Sequence, residues 1–203
     1  MTKTIDYYFS FNSPWAYLGS RLFGEIARRH GAEVRVKPVN LGEVFPRTGG
    51  LPLPKRAPER QAYRLVELNR WRAYRDMPLN QHPAFFPADE ALAAGCVIAQ
   101  GAAGGDTLGL AHAILRAVWA EERDMADEAT LAEILRETGA EPDALLAKAR
   151  DPKTRESYEA YTQEAVARGV FGSPSYILDG ELFWGQDRLE FLERALAQQA
   201  SPA

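Results

Sequence analysis

The alternation of apolar and polar residues at the start of the chain predicts a strand, a helix and a second strand. Residues 5–11 are rich in aromatic and β-favouring side chains, as expected of a buried strand. Apolar residues then recur at helical spacing over residues 15–27. Ser13-Pro14 is a good helix start, because serine can cap a helix and proline lacks an N–H that would be unpaired there. Residues 33–39 alternate again, so we expect a β-α-β unit with a right-handed crossover.

The middle of the chain is predicted to be helical. Prolines and glycines interrupt residues 41–58, which indicates an irregular loop. Beyond this loop, apolar residues at helical spacing predict a series of helices at residues 60–75, 89–100, 106–122, 127–138, 143–150 and 152–168. Strand-like sequence returns only after these helices.

The end of the chain predicts a hairpin and a closing helix. Ser175–Leu178 and residues 181–184 are strand-like, and Asp179-Gly180 between them is a favourable two-residue turn. A final helix is expected from Asp187 onwards, with Asp187 as its N-cap. The elements therefore follow the order β-α-β, a run of helices, then β-β-α.

The order β-α-β … β-β-α is the minimal thioredoxin topology. We therefore predict an α/β protein with a thioredoxin-like fold that carries a large all-helical insertion. Residues 1–42 and 170–203 are expected to form the thioredoxin-like domain, and residues 43–169 the helical insertion domain. A chain of 203 residues is long enough for one domain with an insertion or for two subdomains.

Composition and charge narrow the class of protein. The 24 basic and 28 acidic residues give a net charge of −4, which offers no electrostatic basis for binding nucleic acid or an anionic membrane. Residues 1–6 hold no apolar stretch before the acidic Asp6, so we expect no signal peptide, and no run approaches the roughly 20 apolar residues that span a bilayer. We expect a soluble, cytoplasmic protein.

The cysteine and histidine content argues against disulfide and metal chemistry. Cys96 is the single cysteine, so one chain can hold neither an internal disulfide nor a CxxC pair. The three histidines do not stand at metal-ligand spacing, so we expect no metal site. Cys96 lies in an apolar helical segment and is interpreted as a buried hydrophobic residue.

The junction between the first strand and the first helix is the candidate catalytic position. A thioredoxin-fold oxidoreductase places Cys-x-x-Cys there, whereas this chain has Ser13 and Ala16 at the two cysteine positions. A helix N-terminus supplies unpaired N–H groups and a partial positive charge, which stabilise a thiolate. The site is thus suited to the thiolate of a supplied thiol such as glutathione. The simpler interpretation is that Ser13 only caps the helix, worth about 1 kcal/mol.

A second segment, Gly172-Ser173-Pro174, stands where thioredoxin-like folds place a cis-proline opposite the helix start. A cis peptide is almost confined to proline, and here it would free the Ser173 N–H and C=O to pair with an extended peptide ligand. The alternative is an ordinary loop proline. Because both motifs occur at the correct places in the topology, their coincidence favours the functional interpretation.

These motifs together resemble the 2-hydroxychromene-2-carboxylate isomerases, which belong with the kappa-class glutathione transferases in the DsbA-like superfamily. The resemblance covers essentially the whole chain. It rests on the segments YYFSFNSPWAYL (residues 7–18), LNRW (68–71), AVW (117–119), FGSP (171–174) and WGQDRL (184–189).

The resemblance implies a glutathione site. Ser13 would donate a hydrogen bond to the glutathione sulfur, and the Ser173-Pro174 backbone would hold the cysteinyl part. Gln186 and Asp187 would receive the γ-glutamyl end, where Asp187 can pair with the ammonium group.

Arg60 falls where the family often has a lysine facing the glycyl carboxylate, which a guanidinium can bind bidentately. The alternative for Arg60 is a solvated surface residue, and for Asp187 a helix cap.

The chain departs from the family at Gly49-Gly50, where relatives commonly have Gly-Asn and the Asn contacts glutathione. Arg47 or Thr48 could substitute for that contact. The loop at residues 82–87 could line a pocket for an aromatic substrate, or it could be an ordinary packed loop.

The resemblance implies an isomerase that uses glutathione as a recycled nucleophile on a small aromatic substrate. The thiolate adds to a conjugated enone derived from 2-hydroxychromene-2-carboxylate, the resulting single bond rotates, and elimination gives trans-o-hydroxybenzylidenepyruvate. A homodimer is expected on the same basis. Two alternatives are a kappa-like transferase that releases the conjugate, and a non-catalytic module that binds thiols or peptides.

Overall fold

A four-stranded mixed sheet forms the centre of the computed structural model, which describes residues 2–198. The strands are β1 (Thr4–Phe9), β2 (Glu33–Pro38), β3 (Ser175–Leu178) and β4 (Glu181–Trp184), in the spatial order β2-β1-β3-β4. β1 pairs with β2 in parallel, and the other two pairings are antiparallel. This is the predicted β-α-β … β-β-α arrangement.

Helices make up most of the remaining chain. They are α1 (Pro14–Arg29), α2 (Leu41–Thr48), α3 (Pro58–Arg75), α4 (Ala91–Ala102), α5 (Thr107–Ala120), α6 (Glu128–Glu137), α7 (Pro142–Ala149), α8 (Pro152–Ala167) and α9 (Leu189–Gln198). Two short 3-10 helices, Leu53–Lys55 and Gln186–Arg188, precede α3 and α9. Within residues 2–198, none of these helices is long and apolar enough to cross a membrane.

The prediction of an irregular loop over residues 41–58 is wrong in its first half, where α2 forms. Asn40 caps this helix by accepting a hydrogen bond from the Gly42 N–H at 2.9 Å, and Val44 is buried. Pro46 lies inside the helix and Gly49 ends it in the left-handed conformation. The helix forms because its cap and its buried residue outweigh the single proline.

The prediction that Asp187 caps the last helix is also wrong. Asp187 lies within the 3-10 helix Gln186–Arg188, and α9 starts only at Leu189. The Asp187 carboxylate pairs with Arg188 Nη1 at 2.8 Å instead of a helical N–H. The other helices begin and end within two residues of the predicted positions.

The predicted division into a thioredoxin-like domain and a helical insertion stays a proposal. All four strands, α1 and α9 come from residues 4–38 and 175–198, and α2–α8 come from the segment between them. The proposed boundary at residues 42–43 cuts α2. Residue 1 and residues 199–203, which the proposal includes, lie outside the described residues.

The main core lies on one face of the sheet and continues into the helical segment. Ile5, Tyr7 and Phe9 of β1 point into it, and the Tyr7 ring stacks on Phe9 and on Tyr176. The same cluster of buried residues includes side chains from α3 to α7, with Trp119 of α5 fully buried. The helices are therefore joined to the sheet by one continuous hydrophobic core.

The opposite face of the sheet carries a buried ion network against α8. Lys37 Nζ lies 2.9 Å from Asp6 Oδ1 and 2.8 Å from Glu164 Oε1, and Arg168 also pairs with Asp6. Burial opposes ionisation of Asp6, but hydrogen bonds from Arg168 and Lys37 hold the pKa of this carboxyl below its usual value. The network ties β1 and β2 to the helical segment.

Candidate active site

Ser13 lies at the N-terminus of α1, as the sequence predicts. Its backbone is extended, with φ −106° and ψ 109°, and its Oγ accepts a hydrogen bond from the Ala16 N–H at 3.2 Å. The residue is 5% exposed, so its hydroxyl is almost fully removed from water. Ser13 is therefore the N-cap of α1, and its hydroxyl also has a second hydrogen-bond partner.

The Ser173-Pro174 peptide is cis and faces Ser13. Ser13 Oγ donates a hydrogen bond to the Ser173 carbonyl oxygen at 3.0 Å, and Ser173 Oγ accepts one from the Ser10 N–H at 3.0 Å. The Ser173 C=O, which the sequence predicts to be free for a ligand, is thus already bonded to the Ser13 hydroxyl. The helix start and the cis-proline segment form one hydrogen-bonded unit.

Gly185 lies between β4 and the 3-10 helix Gln186–Arg188, and it hydrogen-bonds to the cis-proline segment. Its N–H donates to the Pro174 carbonyl oxygen at 2.9 Å, and its φ of 103° suits glycine alone. A Cβ at this position would also lie 2.4 Å from Asp187 Oδ1. The glycine therefore allows the chain to turn from the end of β4 into the 3-10 helix that holds Gln186 and Asp187.

Gln186 and Asp187, both expected to bind a γ-glutamyl group, differ in environment. Gln186 is 2% exposed, and its Oε1 accepts hydrogen bonds from Arg75 Nε at 3.1 Å and Nη2 at 3.0 Å. Asp187 is partly exposed and pairs with Arg188. Asp187 is thus accessible to a ligand, whereas the side-chain oxygen of Gln186 is engaged by Arg75.

Arg75 is a residue that the sequence analysis did not single out. It lies at the end of α3, 111 positions before Gln186, and it also donates to the Gln186 backbone carbonyl at 3.1 Å. No local pattern links two residues so far apart. Through this contact the helical segment fixes the 3-10 helix that carries Asp187.

Arg60 lies exposed in the first turn of α3, beside two further arginines. Arg56 and Arg64 are half-buried, and burial together with the Arg56 charge lowers the pKa of Arg64 to about 10. Arg56 Nε donates to the Leu51 carbonyl at 2.8 Å, and none of the three arginines forms a salt bridge with a carboxylate among residues 2–198. Three neighbouring guanidinium groups without an acidic partner favour an anionic ligand.

The glycine at position 50, where relatives commonly have asparagine, has a steric basis. A Cβ on Gly50 would lie 2.4 Å from Phe45 Cδ1, so the aromatic ring occupies the space that a side chain there would need. The two candidate substitutes are engaged elsewhere. Thr48 Oγ1 donates to the Val44 carbonyl at 2.9 Å, and Arg47 donates to Gln163.

The loop at residues 82–87 packs against α5, close to the loop that precedes Ser13. The Phe86 ring lies 5.0 Å from that of Trp119, whose Nε1–H donates to the Phe11 carbonyl at 2.9 Å. Phe85 is 44% exposed and is available to an aromatic ligand.

The lone cysteine, Cys96, is fully buried, as the sequence predicts. Burial raises the pKa of its thiol to about 12, so the thiol stays protonated and is unsuited to act as a nucleophile.

The fold and the site define a class of protein. A thioredoxin-type sheet, a cis-proline and a polar helix N-terminus are all present, but serine and alanine replace both redox cysteines. Such a site cannot exchange disulfides by itself, and it can stabilise the thiolate of a separate molecule.

Comparison with known proteins identifies the family. Residues 4–197 match the DSBA-like thioredoxin domain family. The 2-hydroxychromene-2-carboxylate isomerase of Sphingobium xenophagum is 33% identical over 198 residues, which cover 97% of this chain and 99% of that protein. The chain therefore belongs to the 2-hydroxychromene-2-carboxylate isomerase family, within the DSBA-like thioredoxin proteins.

Two further relatives agree with this assignment. A solved 2-hydroxychromene-2-carboxylate isomerase superposes with a TM-score of 0.82 at 26% identity, covering 97% of this chain and 96% of that one. Glutathione S-transferase kappa 1 of Caenorhabditis elegans is 25% identical, over 96% of this chain and 91% of that protein. The predicted family and fold are confirmed.

Proposed function

We propose that this protein is a glutathione-dependent isomerase that converts 2-hydroxychromene-2-carboxylate, or a closely related aromatic compound, to trans-o-hydroxybenzylidenepyruvate. The observation that carries the proposal is the Ser13 hydroxyl, buried at the N-terminus of α1 and 3.0 Å from the carbonyl before the cis-proline. Curated relatives from Sphingobium xenophagum and Pseudomonas putida carry the isomerase name.

Three polar groups of glutathione, the thiol, the ammonium group and one carboxylate, have candidate partners among the residues present. An extended peptide can run beside the Ser173-Pro174 backbone, which brings a cysteinyl sulfur towards Ser13. The exposed carboxylate of Asp187 can receive the ammonium group. The arginine cluster of Arg56, Arg60 and Arg64 offers unpaired cations to a carboxylate.

Glutathione would supply a thiolate that adds reversibly to a conjugated double bond and so permits rotation about it. Ser13 has one hydroxyl proton, which points at the Ser173 carbonyl. To stabilise a sulfur anion, this proton has to turn towards the ligand, while the Ala16 N–H continues to hold the oxygen. The partial positive charge at the start of α1 favours the same anion.

The cytoplasm as the place of action, and a homodimer as the assembly, are also part of the proposal. Both rest on the family resemblance. Sedimentation of the purified protein tests the assembly: a monomer at micromolar concentration would contradict it.

Turnover of 2-hydroxychromene-2-carboxylate, measured with and without glutathione, tests the function. We expect the trans product only when glutathione is present, with no net consumption of the thiol. A kappa-like transferase would instead consume glutathione and release a conjugate with an electrophilic aromatic substrate. A non-catalytic module would bind glutathione in a calorimetric titration without turning over either substrate.

Replacing Arg60 by alanine is expected to weaken glutathione binding about ten-fold, because a hydrogen bond to a charged group is lost at a partly solvated site. The dissociation constant from calorimetric titration is the measurement. Arg155→Ala, at an exposed position of α8, is the matched control and should leave the constant unchanged. Equal affinities for wild type and Arg60→Ala would assign Arg60 to the solvated surface.

A further inference from the structure

Glu90 binds the loop that leads into Ser13. It lies immediately before α4, and both carboxylate oxygens accept hydrogen bonds from Ser10 Oγ, at 2.9 and 2.8 Å. Oε2 also accepts from the Phe11 N–H at 2.7 Å and the Asn12 N–H at 3.4 Å. One carboxylate therefore contacts three consecutive residues between β1 and α1.

The same loop is held from further positions of the helical segment. The Asn12 side chain donates to the Ala88 carbonyl at 3.0 Å and accepts from the Ala88 N–H at 3.2 Å. Trp119 Nε1–H donates to the Phe11 carbonyl at 2.9 Å. The Phe11 N–H therefore donates to Glu90, and the Phe11 carbonyl accepts from Trp119. Because both backbone groups of Phe11 are hydrogen-bonded, the loop has little freedom to move.

The electrostatic environment of Glu90 is unusual for a structural carboxylate. No salt bridge of the described residues includes it, and the acidic groups near it are Asp89 on its own segment and the Tyr158 phenol on α8. Burial raises the pKa of Glu90 to about 7, although the hydrogen bonds from Ser10, Phe11 and Asn12 lower it. A partly buried carboxyl without a cation beside it is destabilising by itself, and such groups concentrate at functional sites.

We propose that Glu90 is a positioning residue, which fixes the loop of residues 10–12 and thereby holds the Ser13 hydroxyl against the Ser173-Pro174 segment. Its effect on turnover rests on the proposed function. An ionised carboxylate suits this task because it is an acceptor on both oxygens. A glutamine keeps one acceptor oxygen for the Phe11 and Asn12 N–H groups, but this oxygen is neutral, and the glutamine NH2 would replace the Ser10 hydroxyl as the donor in their contact.

Amide hydrogen exchange tests the positioning without any ligand. At a pH well above 7, where the Glu90 carboxyl is ionised, the Phe11 and Asn12 amides of Glu90→Gln should exchange about ten-fold faster than those of the wild type, because their hydrogen bonds to a charged acceptor become weaker bonds to a neutral one. Glu159→Gln, at an exposed carboxylate on α8, is the matched control and should change neither amide. Unchanged exchange at both amides in Glu90→Gln would overturn the proposal, whatever the activity.

A double-mutant cycle tests whether Glu90 acts through Ser13. Glu90→Gln alone should lower kcat about ten-fold with little change in the KM for glutathione, because the hydroxyl is misplaced while the rest of the site remains. In the Ser13→Ala background the same substitution should have no further effect on kcat. If the two losses multiply, Glu90 acts independently of Ser13 and the positioning role is wrong.

A third measurement separates this proposal from the proposed function. The thiol introduced by Ser13→Cys can be alkylated without glutathione or substrate, at a pH where it is fully ionised. Adding Glu90→Gln should raise the alkylation rate about five-fold or more, since a loosened loop exposes a position that is 5% exposed in the wild type. An unchanged rate would overturn the positioning role, whereas absent turnover in the wild type would overturn only the proposed function.

Discussion

Replacing Ser13 by alanine is expected to lower kcat/KM for the glutathione-dependent reaction about 10²- to 10³-fold, the usual effect of removing one hydrogen-bond donor to a reacting anion. The hydroxyl is the donor that α1 places opposite the cis-proline, 3.0 Å from the Ser173 carbonyl. Steady-state turnover measures the loss. The ultraviolet absorbance of the bound thiolate should fall with it, because the variant no longer stabilises the ionised sulfur.

The control for this experiment is Ser157→Ala. Ser157 also donates a hydrogen bond from its hydroxyl to a backbone carbonyl, that of Lys153 at 2.9 Å, but it lies on α8. Its turnover and thiolate absorbance should match the wild type. If Ser13→Ala kept full turnover and an unchanged thiolate fraction, Ser13 would be a helix cap and no more.

Replacing Trp119 by alanine is expected to lower the free energy of unfolding by about 3–5 kcal/mol, the range for truncating a buried large aromatic residue. Trp119 is 0% exposed, packs on Phe86 and binds the Phe11 carbonyl. Truncation leaves both a cavity and an unpaired carbonyl. Urea denaturation of the purified variant measures the change.

Trp119→Phe removes the indole hydrogen bond with a smaller cavity than Trp119→Ala leaves. The expected loss of about 1–3 kcal/mol combines the unpaired Phe11 carbonyl with this smaller cavity. Trp184→Phe, at a residue that is 51% exposed, is the control and should change stability by less than about 0.5 kcal/mol. An unfolding free energy of Trp119→Phe equal to that of the wild type would mean that the indole hydrogen bond contributes nothing.

Local signals in the sequence predict the elements that flank the site. Ser13-Pro14 marks the start of α1 because capping and the missing proline N–H act within one turn. Asp179-Gly180 marks the β3–β4 turn, and both residues have the positive φ values, 50° and 89°, that such a turn requires. Each of these features depends on residues that are close in the chain.

The contacts that hold the site together could not be predicted in this way. Glu90 binds Phe11 across 79 positions, and Arg75 binds Gln186 across 111. Neither residue stands in a recognisable motif, and their partners are set by how the helical segment packs on the sheet. The sequence therefore predicts the helix start at Ser13 and the cis-proline, but not the distant residues that support them.

The same contacts change how the helical segment is understood. The sequence suggests an insertion added to a complete thioredoxin-like domain. In the structure, α3 supplies Arg75 to the 3-10 helix, the residue before α4 supplies Glu90 to the loop, and α5 supplies Trp119. Because these contacts and the core are shared, we expect the two parts to unfold in one cooperative transition.

The burial of Cys96 has a consequence for oxidative stress. The chain contains one cysteine, it is 0% exposed, and its raised pKa keeps the thiol protonated. Oxidants attack thiolates that reach solvent, so peroxide would find no such group in this protein. The Ser13 hydroxyl, the proposed catalytic group, is likewise inert to peroxide. If the proposed function holds, the activity under oxidising conditions would decline with the supply of reduced glutathione, and it would return with that supply without any repair of the protein.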